Sequence, residues 1–297
     1  MKFIVFGASG FIGRHVFDYM RCQGYPALGT QSTKEFSDLI KFNMLENSVE
    51  ESIPTEFLKK TEPTFAVICL KFGPIDLYPR QKELSRFLEV ERTKLIIKEL
   101  VRLKITPVYL GSSYVFDGGL GYYSEESLHN PINTYGQYKS EIETFLLENQ
   151  ETSLILRLDK NVGDDPSESH DLSTWYKCMK RNQEIHCIQD QIFSPTYVGD
   201  VARGVFQGCK YGLKGVYNLA NTEYFSRVEL VEQFALSLDM KAKIVAKPQS
   251  DFDFLDPRPL KSYLDSTKFI EATGVRFTSM REVFQQFAIK LDSLSKL

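Results

Sequence analysis

The tightest constraint on the fold sits at the start of the chain, where residues 3–13 read F-I-V-F-G-A-S-G-F-I-G, an apolar run ending in three glycines spaced three apart. Four apolar residues in succession suit a strand buried on both faces of a parallel sheet. Gly7 permits a tight turn out of that strand, Gly10 lets backbone approach a pyrophosphate, and Gly13 lets the next helix pack close to the sheet. That helix, with Ile12, Val16, Phe17 and Met20 on one side, would aim free N–H groups and its positive dipole end at an anion. Strand, glycine turn and helix in this order point to a dinucleotide site, with Gly7, Ser9, Gly10, Phe11, Ile12, Gly13 and Arg14 as its candidate residues. A purely structural glycine turn is the competing reading, and the flanking strand and helix weigh against it.

The next stretch repeats the alternation. Strands are expected at 26–30, 39–42, 65–70 and 107–110, with helices over 48–60 and 81–103. The second helix carries Leu84, Leu88, Leu95, Ile96, Leu100 and Leu103 on one broad face. This pattern predicts an α/β fold, a Rossmann-type doubly wound parallel sheet with ligands at the carboxyl ends of its strands.

Composition narrows the partners. A chain of 297 residues with 42% hydrophobic and 25% charged residues can bury one large α/β domain and a smaller companion. A formal charge of -3 with no basic cluster argues against nucleic acid or an anionic membrane surface. Gly7 cuts the first apolar run far short of a signal-peptide core, and no later run spans a bilayer, so cytoplasm is the default expectation and no membrane partner is implied. The five cysteines form no C-x-x-C pair, and the four histidines show no ligand spacing, so reduced thiols and no metal are expected.

Where an NAD-preferring site usually carries an Asp or Glu, this chain has Thr30, Gln31 and Ser32, with Arg14 and Lys34 nearby. Two hydroxyls and two cations favour a ribose 2′-phosphate, hence NADP (NADPH) over NAD; the alternative is that Arg14 and Lys34 are solvated surface charges. Asn43 at the end of the third strand could read the adenine edge, and Leu70 and Lys71 end the fourth strand on the cofactor side. After the fifth strand comes a loop over 111–118, then P-I-N-T-Y-G-Q-Y-K at 131–139 entering a helix. Tyr135 and Lys139, four apart, share one helix face, and an ammonium beside a phenol favours phenolate, which suits proton transfer.

Together these motifs resemble the extended short-chain dehydrogenases, and within them the dTDP-4-dehydrorhamnose reductase family, over nearly the whole chain. G-A-S-G-F-I-G at 7–13 is similar to the cofactor loop, S-S-Y-V-F-D-G at 112–118 to the S/T-x-Y-V-F-D-G segment, and 131–139 to the Tyr-x-x-x-Lys block. Asp190, Gln191, Ser194, Pro195 and Thr196 resemble D-Q-x-x-S-P-T; Arg258, Pro259, Ser262, Leu264 and Asp265 resemble R-P-x-x-S-x-L-D. The resemblance implies Tyr135 as proton donor to a sugar carbonyl, Lys139 on the nicotinamide ribose, and Ser112 hydrogen-bonded to the same carbonyl oxygen. Ser113, Tyr114, Arg157, Gln191 and Arg258 become candidates for the nucleotide-sugar side, with Arg258 on the pyrophosphate and Arg157 either lining the cleft or paired with a carboxylate.

Several positions depart from the family. Ser113 stands where an Asp commonly follows the catalytic Ser or Thr, Cys69, Leu70 and Lys71 replace Asn-Ala-Ala, and Glu91 replaces a frequent Asn on the long helix. Leu158, Asp159, Lys160 and Asn161 stand where an aromatic follows Arg157. The cofactor and proton-transfer parts survive while the sugar-contacting parts are altered.

The remaining chain is expected to give a dinucleotide-binding domain of residues 1–158 completed by about 193–224, and a discontinuous nucleotide-sugar-binding domain of 159–192 and 225–297. The expected function is NADP-dependent reduction of a nucleotide-linked 4-keto-6-deoxy sugar. Two alternatives stand beside it: a non-catalytic NADP-binding protein like the regulatory subunit of methionine adenosyltransferase, which the family contains, and a nucleotide-sugar epimerase. A homodimer is a class-level expectation.

Overall fold

The computed structural model describes residues 1–33, 35–59, 61–149 and 152–294. Its centre is a sheet of seven strands, all pairs parallel, beginning with β1 (Lys2–Phe6). The next five in chain order are β2 (Ala27–Gln31), β3 (Ile40–Lys41), β4 (Thr64–Ile68), β5 (Thr106–Ser112) and β6 (Leu154–Leu158). From one edge the sheet runs β3, β2, β1, β4, β5, β6 and then Gly215–Asn218. Strand order reverses direction between β1 and β4, so the crevice for a ligand opens at the carboxyl ends of those two strands.

Phe3, Ile4, Val5 and Phe6 are wholly buried, as the apolar run requires. Each is worth about 1.5–3 kcal/mol of burial. Phe3 and Val5 join one core cluster with Val16, Phe17 and Val205; Ile4 and Phe6 join the other, on the opposite face, with Ile96, Ile97 and Ile142. Helix α1 (Phe11–Cys22) lies close to the sheet because residue 13 has no Cβ: one built there would sit 2.2 Å from the Gly7 carbonyl oxygen.

A third cluster sits apart from the sheet. Leu172, Trp175, Leu230, Phe234, Phe284 and Phe287, from helices Asp171–Lys180, Arg227–Ser237 and Met280–Leu294, pack together with Ile185 and Phe193. Strands Glu184–Ile188 and Lys243–Lys247, neither expected from the sequence, pair in parallel beside them.

The helix expected over 81–103 is broken. It begins as the turns Leu77–Arg80 and Lys82–Arg86, widens into a π-helical stretch at Phe87–Arg92, and returns to α-helix at Thr93–Arg102. A π turn inserts a residue and rotates the side chains beyond it. Ile96 and Leu100 are buried as expected, but Leu84 and Leu95 are exposed, and Glu89 faces inward while Glu91 faces solvent. The helix expected over 48–60 is two short turns, Val49–Ser52 and Thr55–Leu58, separated at Pro54; Lys60 lies outside the described residues. Arg157 lies within β6.

Candidate active site

A cleft of about 500 Å³ opens at the carboxyl ends of the central strands. The turn from Gly10 to Gly13 forms one wall, and Ser112, Ser113, Tyr114 and Tyr135 line it together with Cys69 and Lys71. Residues Asp159 to Asn161, which follow β6, and Asp171, Gln191 and Arg227 complete it. A Cβ on Gly10 would meet only the Gly7 carbonyl at 3.3 Å, so the backbone there faces open space, as a pyrophosphate cradle requires.

Local chemistry brings Ser112 and Tyr135 to this cleft. Ser112 ends β5 and caps the single helical turn Ser113–Val115, its hydroxyl accepting from the Tyr114 N–H at 3.2 Å. Asn133 accepts from the Gly136 N–H at 2.7 Å and so starts the helix Thr134–Asn149 that carries Tyr135 and Lys139. Gly136 lets that helix approach the turn, since a Cβ there would lie 2.0 Å from the Tyr114 carbonyl oxygen. Tyr114 and Tyr135 meet edge to face at 5.8 Å, and burial pushes the Tyr114 phenol up to about 12.

Lys139 lines a smaller pocket of about 110 Å³ that shares Cys69, Ser112 and Tyr135 with the cleft, and it is almost fully buried. Its Nζ lies 2.9 Å from Glu89 Oε1, and Glu89 Oε2 accepts from the Tyr78 hydroxyl at 2.8 Å and the Phe72 N–H at 3.0 Å. Burial works against the lysine's charge, but Glu89 and the surrounding tyrosines hold its pKa well above the ordinary lysine value. Lys139 is therefore a charged donor with a dedicated counter-ion.

The charges around Arg14 are more balanced than the sequence suggested. Arg14 is fully engaged: its Nε donates to Asp18 at 2.8 Å, and its two terminal nitrogens grip Asp38 at 3.1 and 3.0 Å. Arg21 adds a contact to Asp38 at 3.2 Å, and Arg14 draws the Asp38 carboxyl below its ordinary value. Asp38 reaches Arg14 because Gln31 folds the loop after β2 back by donating to the Phe36 and Leu39 carbonyls. Lys34 lies outside the described residues. Thr30 is buried and accepts from the Gly7 N–H at 3.1 Å, bracing the glycine turn; Ser32 is exposed. Asn43 closes its own turn, its side chain accepting from the Leu45 N–H. Phe11 stacks on His170 at 5.6 Å, Ser9 and Leu70 are half-buried, and Lys71 is exposed with Nζ 5.3 Å from the Tyr135 ring centre.

Of the five residues expected on the sugar side, Ser113, Tyr114 and Gln191 line the cleft. Ser113 donates to Asp159 Oδ1 at 2.7 Å. Arg157 points elsewhere, with Nε 2.9 Å from the fully buried Glu143 and other nitrogens on the Glu125 carbonyl and His129. It ties β6 to the helix bearing Tyr135. Arg258 pairs with Asp76 at 2.6 Å and lies over the Phe254 ring at 4.6 Å.

Sequence reasoning missed Glu89, His170, Asp171, Phe193 and Arg227. Asp171 lies between two cations, Lys160 at 3.1 Å and Arg227 at 3.2 Å, and Arg227 also donates to Gln191 at 3.1 Å. The Ser-x-x-Glu of 226–229, a helix-start signal, marks the neighbourhood of Arg227, and the structure caps that helix with it. Helical spacing puts Glu89 on the face of buried Thr93, Ile96 and Leu100, but nothing local marks it as the partner of Lys139. Among the described residues no group of His, Cys, Asp or Glu could hold a metal ion, and no helix is long and apolar enough to cross a membrane.

Fold and site define a Rossmann-type protein of the extended short-chain dehydrogenase group. The chain belongs to the family described as RmlD substrate binding domain, whose model matches residues 1–293. It is 26% identical over 279 residues to methionine adenosyltransferase 2 subunit beta of Xenopus tropicalis, covering 92% of this chain and 82% of that one. It is 24% identical over 287 residues to the spore coat polysaccharide biosynthesis protein SpsK of Bacillus subtilis (strain 168), covering 96% of each. The dTDP-4-dehydrorhamnose reductase of Bacillus anthracis, solved in complex with NADP, superposes with a TM-score of 0.80 at 22% identity, over 98% of this chain and 100% of that one.

Proposed function

We propose that this chain is an NAD(P)-dependent reductase acting on a carbonyl of a nucleotide-linked sugar, of the 4-keto-6-deoxy class, with NADP(H) as the preferred cofactor. The observation that carries this reading is the convergence of Ser112 and Tyr135 on the cleft whose wall is the Gly10 to Gly13 turn. When bound, the nicotinamide supplies hydride to the carbonyl carbon. Ser112 and Tyr135 would then meet the negative charge growing on the carbonyl oxygen, Tyr135 giving up its phenolic proton. Gly10 to Gly13 and the start of α1 would hold the pyrophosphate, and Lys139, fixed by Glu89, the nicotinamide ribose. Gln191 and Arg227 are hydrogen-bond donors available to the nucleotide sugar.

For NADP(H) the Arg14–Asp38 pair must yield one guanidinium edge to the 2′-phosphate. The absence of a carboxylate at Thr30, Gln31 and Ser32 supports this preference. The test is turnover of a panel of nucleotide 4-ketosugars with NADPH and NADH, followed by loss of nicotinamide absorbance. Tyr135→Phe should lower kcat by roughly 10²- to 10⁴-fold with cofactor affinity retained. Full turnover in that variant would sink the mechanism.

A second reading is a cofactor-binding regulatory subunit, favoured by the likeness to methionine adenosyltransferase 2 subunit beta. Cofactor binding without turnover across the panel, together with stable association with a methionine adenosyltransferase, would select it. An epimerase, the third reading, would retain oxidised cofactor through purification.

A further inference from the structure

One carboxylate in the cleft holds two cations. Asp171 Oδ2 lies 3.1 Å from Lys160 Nζ and 3.2 Å from Arg227 Nη1, and all three residues line the cleft. Burial works against the charge on Asp171, but the two cations hold its carboxyl below the ordinary value. One negative charge between two positive ones leaves a net positive charge at this wall.

Arg227 is fixed on several sides. Its backbone N–H and its Nε donate to the Gln191 carbonyl and to Gln191 Oε1, each at 3.1 Å, and the guanidinium lies 5.4 and 5.8 Å from the ring centres of Phe193 and Trp175. Its remaining nitrogen, Nη2, donates to nothing among the described residues. Gln191 is only 5% exposed. Because a guanidinium can only donate, the Gln191 amide oxygen must face it, and the amide nitrogen is left with no acceptor among the described residues. A nearly buried donor without a partner, beside an open guanidinium nitrogen and an ammonium, calls for acceptor oxygens from outside the chain.

The cation expected for such oxygens is engaged elsewhere. Arg258, which the resemblance puts on the substrate's pyrophosphate, pairs with Asp76 at 2.6 Å and does not line the cleft. Of the other charges in the lining, Lys71 comes from the loop after β4, and Asp159 is held by Ser113 and Ser194.

We propose that Lys160, Arg227 and Gln191 form the seat for the diphosphate of the nucleotide sugar, with Asp171 as the internal counter-ion that offsets part of their charge until the ligand arrives. The inference deepens the reductase reading and rests on a nucleotide sugar being the ligand. It moves the diphosphate from the position that the resemblance implies to residues that the resemblance does not mark.

The test is calorimetric titration of the full chain, saturated with NADPH, with dTDP and UDP, and with thymidine and uridine as phosphate-free controls. One of the two diphosphates should bind about tenfold tighter than its nucleoside. Lys160→Met should weaken that binding about fivefold and Arg227→Met about tenfold; each leaves Asp171 with one cation, so neither strands the carboxylate. Asp171→Asn, which can still accept from Arg227, should tighten it about threefold, a gain that damage to the fold does not produce. Unchanged affinity in both Lys160→Met and Asp171→Asn overturns the proposal, as does the lack of any preference for diphosphate over nucleoside. A loss in Arg258→Met that the Lys160 and Arg227 variants do not share overturns it too. Because the readout needs no turnover, the expected shifts in a protein inactive towards every ketosugar would refute the reductase reading and leave the seat standing, while turnover with unshifted affinities would do the reverse.

Discussion

The Ser113 hydroxyl donates to Asp159 at 2.7 Å, across the mouth of the cleft from the end of β5 to the segment after β6. Asp159 also accepts from the Ser194 N–H at 2.7 Å and is hydrogen-bonded by Ser262. The two departures from the family pattern, Ser113 where an Asp is common and Asp159 in the segment where an aromatic is common, thus form one feature: a carboxylate supplied from the end of the neighbouring strand β6. Burial raises the Asp159 carboxyl above its ordinary value, against the pull of these hydrogen bonds.

Asp159→Ala should therefore destabilise the chain by about 1–3 kcal/mol, chiefly by leaving the Ser194 N–H without its acceptor. Urea denaturation would measure it. Asp159→Asn, which can still accept from Ser194, should cost less; equal losses would mean that the contact with Ser194 is not what matters.

Arg157→Met should destabilise by about 3–5 kcal/mol, because it strands the buried Glu143 carboxylate. Adding Glu143→Gln should recover much of that loss. Ligand affinity per folded molecule should change little, since Arg157 does not line the cleft. A variant with wild-type stability and weakened nucleotide-sugar binding would return Arg157 to the substrate side.

Asp38→Asn frees the guanidinium of Arg14 from its bidentate partner. The ratio of NADPH to NADH affinity should rise about tenfold, equivalent to ~1.4 kcal/mol. Calorimetric titration with both cofactors would show it, and an unchanged ratio would place the 2′-phosphate away from Arg14.

His170 caps the helix Asp171–Lys180, its Nδ1 accepting from the Ser173 N–H at 3.4 Å while Nε2 meets the Asp165 carbonyl at 2.9 Å. That geometry needs the neutral ring, and burial lowers its pKa. For a base with a depressed folded value, the stabilisation is complete above the ordinary histidine value near 6.5 and is lost as pH falls from there towards the lower folded one. Thermal stability should decline over that window, and His170→Asn, which still caps but does not titrate, should flatten the decline. An identical pH profile in the variant would assign the titration to another group.

The glycine turn and the parallel sheet were legible in the order of residues, because each rests on local rules, while Ser112 and Tyr135 were expected in one cleft from the family resemblance. Apolar runs make buried strands, glycines make close turns, and ligands sit at strand carboxyl ends. Which charges remain free was not legible there and came from the folded arrangement. Arg14 is held by Asp38, Lys139 by Glu89 and Arg157 by Glu143, each partner brought in by a loop, a helix or a sheet contact that no local pattern specifies. Glu89 shows why most plainly. Its α-helical spacing to Thr93, Ile96 and Leu100 already places it on the buried face, but the ammonium that pairs with it comes from Lys139 on another helix, so the ion pair beside the candidate proton donor arises from packing rather than from local pattern.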